Sequence, residues 1–221
     1  MCNFLSAIVM QNGDIICDPV KTDSHEDLLQ ANNIRDGIAQ QGKFARVEFT
    51  PSDYSTIQDI STWTLKVDQE DTPDWFNREA VRASLAMRVE SMFVSDKREL
   101  LSGKCYILVE GADVAEAKDT RIVLMVGNSQ VGEMAGTSKV CEMAGTSKVG
   151  KMLGNSKVGW MYEKSEVEWM KDNSKVGWMK GNSKVGKMFG NSKVEWMYEK
   201  SEVGWMSDNS RAPRKPRTDR R

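Results

Sequence analysis

His25 is the single histidine of this chain, so any imidazole-based acid–base step must pass through it. Asp23, Glu26 and Asp27 crowd around it, an arrangement that could hold a protonated imidazole or a cation; the competing reading is capping at a helix start. Cys2 is the other catalytic candidate. Removal of Met1 would place its thiol beside a free α-amine, nucleophile and base in one residue. Cys2, Cys17, Cys105 and Cys141 are widely separated and include no Cys-x-x-Cys pair, so neither zinc nor a disulfide framework is expected. Four reduced thiols follow, with Cys141 read as an incidental replacement of a repeat glycine.

The remaining candidates are binding residues that recur at a fixed interval. Trp160, Trp169, Trp178, Trp196 and Trp205 each precede a methionine, with Lys187 interrupting the series. Lys139, Lys148, Lys157, Lys175, Lys184 and Lys193 each follow a serine, and Glu166 and Glu202 break that series. Stacked indoles form a ledge for a protein, a sugar or bases, or else a ladder that only stabilises its own rungs. Lysines interspersed with Glu133, Glu142, Glu163, Glu168, Glu195 and Glu199 read first as a mixed, solvated surface. Trp160, Trp169, Trp178, Trp196, Trp205, Lys157, Lys175 and Lys193 are the expected binding residues.

These side chains ride on one nine-residue unit, close to Gly-Asn-Ser-Lys-Val-Gly-Trp-Met-Lys, repeated from Ser129 to Ser210 without insertion. An α-helix cannot carry it. At about 100° per residue, successive valines would land on opposite faces, and a glycine in almost every unit opposes helix formation. A continuous strand fails as well, because an odd period turns each unit inside out. A corner in every repeat resolves the conflict, and Gly154-Asn155, Asp172-Asn173 and Glu163-Lys164 stand at that place. The expected fold is a β-solenoid with two repeats per coil. Serine, valine and methionine point inward, with a bend at glycines such as Gly159 and Gly177. Tryptophan and lysine point outward. About five coils, roughly 24 Å tall at 4.8 Å per rung, are expected.

The glycine-asparagine corners are similar to those of calcium-binding nonapeptide rolls, but the aspartate ladder of that family is absent, which argues against calcium. The whole arrangement, a small N-terminal domain followed by Gly-Asn-Ser-Lys-Val-Gly-x-Met units, resembles a group of uncharacterised bacteriophage and prophage proteins. That resemblance implies the fold and no activity. The Met-Cys opening is similar to that of N-terminal-nucleophile hydrolases such as the glutamine amidotransferases, although Asn3 replaces their usual glycine.

The first half reads as α+β. Phe4 to Met10 and Ile15 to Cys17 flank an Asn12-Gly13 hairpin turn, and Asp23-Ser24 opens a short helix over Leu28 and Leu29. Phe44 to Thr50 and Thr62 to Val67 read as strands, Thr72-Pro73 as the start of a helix running to about Val94, and Cys105 to Val109 as a strand. The expected organisation is an α+β domain over 1–110, repeats over 111–210 and a disordered basic tail over 211–221.

A net charge of −1 gives no global attraction to nucleic acid or an anionic membrane. No apolar run is long enough to span a bilayer, and a cytoplasmic location is expected. The favoured function is a non-enzymatic binding or assembly protein of phage derivation that needs no cofactor and engages a protein partner through the solenoid surface. Self-association through the last coil near Met206 is a further expectation. The alternatives are a hydrolase using Cys2 and a nucleic-acid binder working through the arginine-rich tail.

Overall fold

The computed structural model describes residues 5–36 and 42–213, and the chain divides into two compact units that meet at Met92 and Phe93. In the first unit, β1 (Leu5–Met10) and β2 (Ile15–Ile16) form the expected hairpin, with Gly13 at φ +90° in its turn. The helix α1 (His25–Ala31) starts where Ser24 accepts a hydrogen bond from the Asp27 N–H. β3 (Phe44–Thr50) and β4 (Thr64–Val67) complete an antiparallel sheet in the order β2-β1-β3-β4. The sheet core is Leu5, Ala7, Ile8, Val47 and Phe49, with Leu28 and Leu29 of α1 against Ile8 and Phe44.

The helix α2 (Arg78–Glu90) begins later than Thr72-Pro73 suggests. Asn77 accepts from the Ala80 N–H and fixes the helix start, while Pro73 closes a separate turn whose carbonyl accepts from Phe76. Val81, Leu85 and Val89 are its buried stripe. Phe93 does not belong to the helix.

The second unit is a β-solenoid of about six turns. Its upper strands are β5 (Phe93–Val94), β6 (Lys97–Ser102), β7 (Cys105–Leu108), β8 (Asp113–Lys118) and β9 (Arg121–Met125). The regular repeats supply β10 (Gln130–Ala135), β11 (Lys139–Met143), β12 (Lys148–Met152), β13 (Lys157–Met161) and β14 (Glu166–Met170). The last are β15 (Lys175–Met179), β16 (Lys184–Met188), β17 (Lys193–Met197) and β18 (Glu202–Met206). Even-numbered strands make one parallel seven-stranded sheet and odd-numbered strands from β5 make the other. Each regular strand therefore pairs with the strand two repeats away, Val158 beside Val176 and Met161 beside Met179.

The coils begin at Phe93, ahead of position 111, because Val94, Leu101 and Leu108 already occupy inward places of the core that Val114, Ala117, Ile122 and Met125 continue. Below them the core is a column of valines from Val131 and methionines from Met134, buried as far as Val194 and Met197. The ladder passes from valine directly to the residue after the glycine, so Val158 and Met161 both face inward although they are three positions apart. Close approach explains the glycine there: a Cβ on Gly177 would lie 2.7 Å from the carbonyl oxygen of Gly159 in the coil above.

Nine buried serines, from Ser129 to Ser201, line the core beside each valine. Their backbone N–H groups close the corners, as where Ser156 donates to the Leu153 carbonyl at 3.3 Å. Each corner also needs one residue in the left-handed region. Gly154 takes it at φ +65°, and the same place one coil below is taken by Asp172 at φ +57°. The Asp172 carboxylate accepts from the Gly154 N–H at 2.8 Å, a bond from coil to coil that offsets the strain of a non-glycine residue there. Glu163, Glu199 and Asp208 do the same for Gly145, Gly181 and Gly190.

Candidate binding face

Solenoid geometry converts each sequence repeat into a vertical column, and the two sheets receive different columns. On the outer face of the odd-numbered sheet, Lys139, Lys157, Lys175 and Lys193 stand directly above one another, all exposed. Arg121 heads this column, buried, and Arg211 extends it below Lys193. Glu166 and Glu202 lie on the other sheet, where they alternate with Lys148 and Lys184. The lysine series that the linear sequence shows as interrupted is thus one unbroken basic column and one charge-alternating column.

The indoles divide in the same way. Trp160, Trp178 and Trp196 stack on the odd-numbered sheet, with centroids 4.8 Å and 5.4 Å apart. Tyr162 lies parallel to Trp160, and Tyr198 parallel to Trp178. Trp169 and Trp205 are on the other sheet, where the Lys187 ammonium sits 4.4 Å from the Trp169 ring centre and Phe189 bridges the two indoles. All five tryptophans leave the core, yet only Trp196 and Trp205 are about half exposed, at 51% and 49%. Those above them spend much of their ring area on one another.

Both columns of the odd-numbered sheet share one face. The lysine and the tryptophan of a strand both point outward, separated by the inward valine and by Gly159 or Gly177, which have no side chain. A basic row therefore runs beside an aromatic row along the solenoid axis. Glu142 sits above Trp160 and Glu195 pairs with Lys193 at 3.4 Å at the two ends of this face, and Glu199 pairs with Lys180 at 3.6 Å along its tyrosine edge. Burial, with a contribution from Glu142, raises the Tyr162 hydroxyl above its ordinary pKa.

The even-numbered sheet is compensated instead. Lys148 bonds Glu168, which raises the lysine pKa, and Lys151 approaches Glu133 at 3.9 Å. Gln130, Gly132, Gly150, Lys148, Lys151 and Trp169 line a shallow trough of about 310 Å³ there, with acids on both sides of it.

Tyr162, Tyr198 and Phe189 belong to the aromatic columns although only the tryptophans were expected. Their signal was the period of two, since each stands two residues after the tryptophan position with methionine between. The corner carboxylates Glu163, Asp172, Glu199 and Asp208 left no comparable trace.

Of the two catalytic candidates only His25 is among the described residues, and its contacts are structural. His25 is buried, with Nε2 3.0 Å from the Val47 carbonyl and Nδ1 3.4 Å from the Asp68 carboxylate, so both ring nitrogens hold α1 to the sheet. Asp27 accepts from the Thr22 hydroxyl and Glu26 from Ser24, which are capping contacts. Cys2 lies outside the described residues, as does the tail beyond Pro213. Arg211, at the start of that tail, is instead ordered in the odd-numbered sheet. Cys17 receives a hydrogen bond from Arg88, but burial is the larger influence and raises its thiol pKa. Among the described residues no three His, Cys, Asp or Glu side chains group as a metal site would, and no helix is long and apolar enough to cross a membrane.

No family model, curated protein or solved structure matches this chain.

Proposed function

We propose that this protein is a non-enzymatic binding or assembly module whose odd-numbered solenoid sheet presents a basic and aromatic face to an elongated, negatively charged protein partner. The observation that carries this reading is the unbroken column of Lys139, Lys157, Lys175 and Lys193 beside the Trp160–Trp178–Trp196 stack. Regular cations on a rigid face steer an acidic partner and fix its register, while the half-exposed Trp196 and the partly exposed edges of Trp160 and Trp178 supply contact area at small entropic cost. A cytoplasmic location and a phage derivation belong to the same reading. The latter rests on the Gly-Asn-Ser-Lys-Val-Gly-x-Met units alone.

Lysine reversal is the clean test, because Lys157 and Lys175 are exposed. A photo-crosslinking residue at Lys180, which lies between Tyr162 and Tyr198 in the column, should give a discrete protein adduct in cells that carry this protein. The adduct should vanish in Lys157→Glu/Lys175→Glu. The same probe at Lys187 on the opposite sheet should give none. Equal labelling from both positions, or an adduct indifferent to the lysines, refutes the assignment. An adduct with nucleic acid in place of protein would move the reading to the second partner class, with the stacked rings and lysines as its contacts.

A further inference from the structure

Throughout the stack, inward valines and methionines are covered by the coil above and the coil below. The last coil is different. Met188 is fully buried, but Met206 directly beneath it is 46% exposed, and Val203 is only half-buried. The two sheets end differently as well. In the odd-numbered sheet Arg211 continues the ladder under Lys193, donating to the Ser192 carbonyl at 3.0 Å and accepting from the Val194 N–H at 2.9 Å. Ala212 packs on the core, and Pro213 follows with no N–H to offer. In the even-numbered sheet no described residue pairs with the lower edge of β18. Among the described residues β18 thus has no strand beneath it, and its inward apolar pair is left uncovered, whereas Val194 and Met197 at the end of the other sheet stay buried.

We infer that this open edge is the docking site for β18 of a second copy of the same chain, paired antiparallel about a dyad at the Gly204–Trp205 peptide. The strand pattern selects this occupant. Val203 and Met206 face inward and the two residues between them do not, so the strand reads in, out, out, in from either direction. Antiparallel pairing about the centre of that pattern sets Val203 against Met206 of the second copy and closes both cores at once. A slip by one residue would set Val203 against Trp205 and break the match between inward faces. In the centred register Trp205 meets Gly204 of the second copy, where no side chain competes for the space. Glu202 meets Ser207, so like charges do not oppose each other. This interface lies on the sheet opposite the lysine column and does not depend on the binding role proposed for that column.

The register can be read with a disulfide. In one chain Glu202 and Ser207 are about 17 Å apart along the strand, too far for a disulfide, whereas in the centred antiparallel pair their Cα atoms come within about 5.5 Å. Full-length Glu202→Cys/Ser207→Cys should give a thiol-reversible covalent dimer on mild oxidation, and Glu202→Cys alone should not. Sedimentation of the unaltered chain should show a concentration-dependent dimer. Met206→Glu should weaken it by about tenfold or more while leaving the circular dichroism of the coils intact. A chain that stays monomeric at concentrations approaching about millimolar, a dimer indifferent to Met206→Glu, or Glu202→Cys alone cross-linking as well as the pair would overturn the inference. If the double-cysteine variant fails to fold, the sedimentation comparison decides alone.

Discussion

Trp178 lies between Trp160 in the coil above and Trp196 in the coil below, with its ring plane 13° from the first and 21° from the second. Tyr198 adds a third parallel ring at 5.7 Å. The same residues that form the outward face therefore also hold the rungs together, and a large change to the indoles disturbs both.

Removal of Trp178 should accordingly cost more than removal of Trp196. Each aromatic pair is worth about 0.5–1.5 kcal/mol beyond its buried area, and Trp178 makes three such contacts where the half-exposed Trp196 makes one. Trp178→Ala is expected to lose about 2–3 kcal/mol and Trp196→Ala about 1 kcal/mol, measured by denaturant unfolding. Equal losses would show that neither the extra ring contacts nor the deeper burial of Trp178 stabilises the coils.

The coil architecture was legible from the repeat because only one geometry satisfies an odd period, an inward valine and an inward methionine three residues later. The upper coils were harder to read. Val94, Leu101 and Leu108, ahead of position 111, fill the inward places without the flanking serine and corner pair, so nothing periodic marks them. The helix start was misplaced for a local reason: Thr72-Pro73 has the composition of a cap, yet Asn77 makes the capping bond. Column membership of the lysines could have been read from the two-repeat coil, since residues separated by one repeat must lie on opposite sheets and those separated by two on the same one. Corner carboxylates were illegible because their partners are backbone N–H groups in another coil.

Those corners give a paired test. Gly154→Ala forces an alanine to φ +65°, with its Cβ 3.2 Å from the Gly136 carbonyl, and should destabilise by about 1–2 kcal/mol. Asp172→Gly at the equivalent place relieves the same strain but gives up the bond to the Gly154 N–H, so its net effect should fall within about 0.5 kcal/mol of zero. If Asp172→Gly instead costs as much as Gly154→Ala, the carboxylate bond is a principal tie between coils.

A pH effect is expected where the first regular corner meets the irregular coils. The backbone N–H and then the hydroxyl of Thr137 bond the Asp119 carboxylate and lower its pKa below the ordinary value. A lowered carboxylate pKa stabilises the folded state above the unfolded value and loses that contribution as pH falls through the folded one. Hydrogen exchange corrected for intrinsic rates should therefore show the Thr137 amide protected at neutral pH and progressively released below the ordinary carboxylate range. Asp119→Asn should flatten this profile, and an unchanged profile in that variant would assign the protection to the coil rather than to the carboxylate.

The buried serines separate a hydrogen-bonding role from a steric one. Ser138 Oγ lies 2.9 Å from the Ala117 carbonyl and 2.7 Å from that of Ala135, whereas Ser174 Oγ, at the same place in another coil, has no partner and is equally buried. A bonded hydroxyl contributes about 1 kcal/mol net, and an unbonded one costs its desolvation. Ser138→Ala should thus lose about 1 kcal/mol, while Ser174→Ala should be neutral or slightly stabilising because alanine fits the same inward place without a polar atom. Thermal unfolding of the two variants checks the contrast. A loss at both positions would mean that the Ser174 hydroxyl rotates onto the Lys171 carbonyl, which already accepts the Ser174 N–H at 3.1 Å, and that the serine column is a hydrogen-bonded feature of every coil.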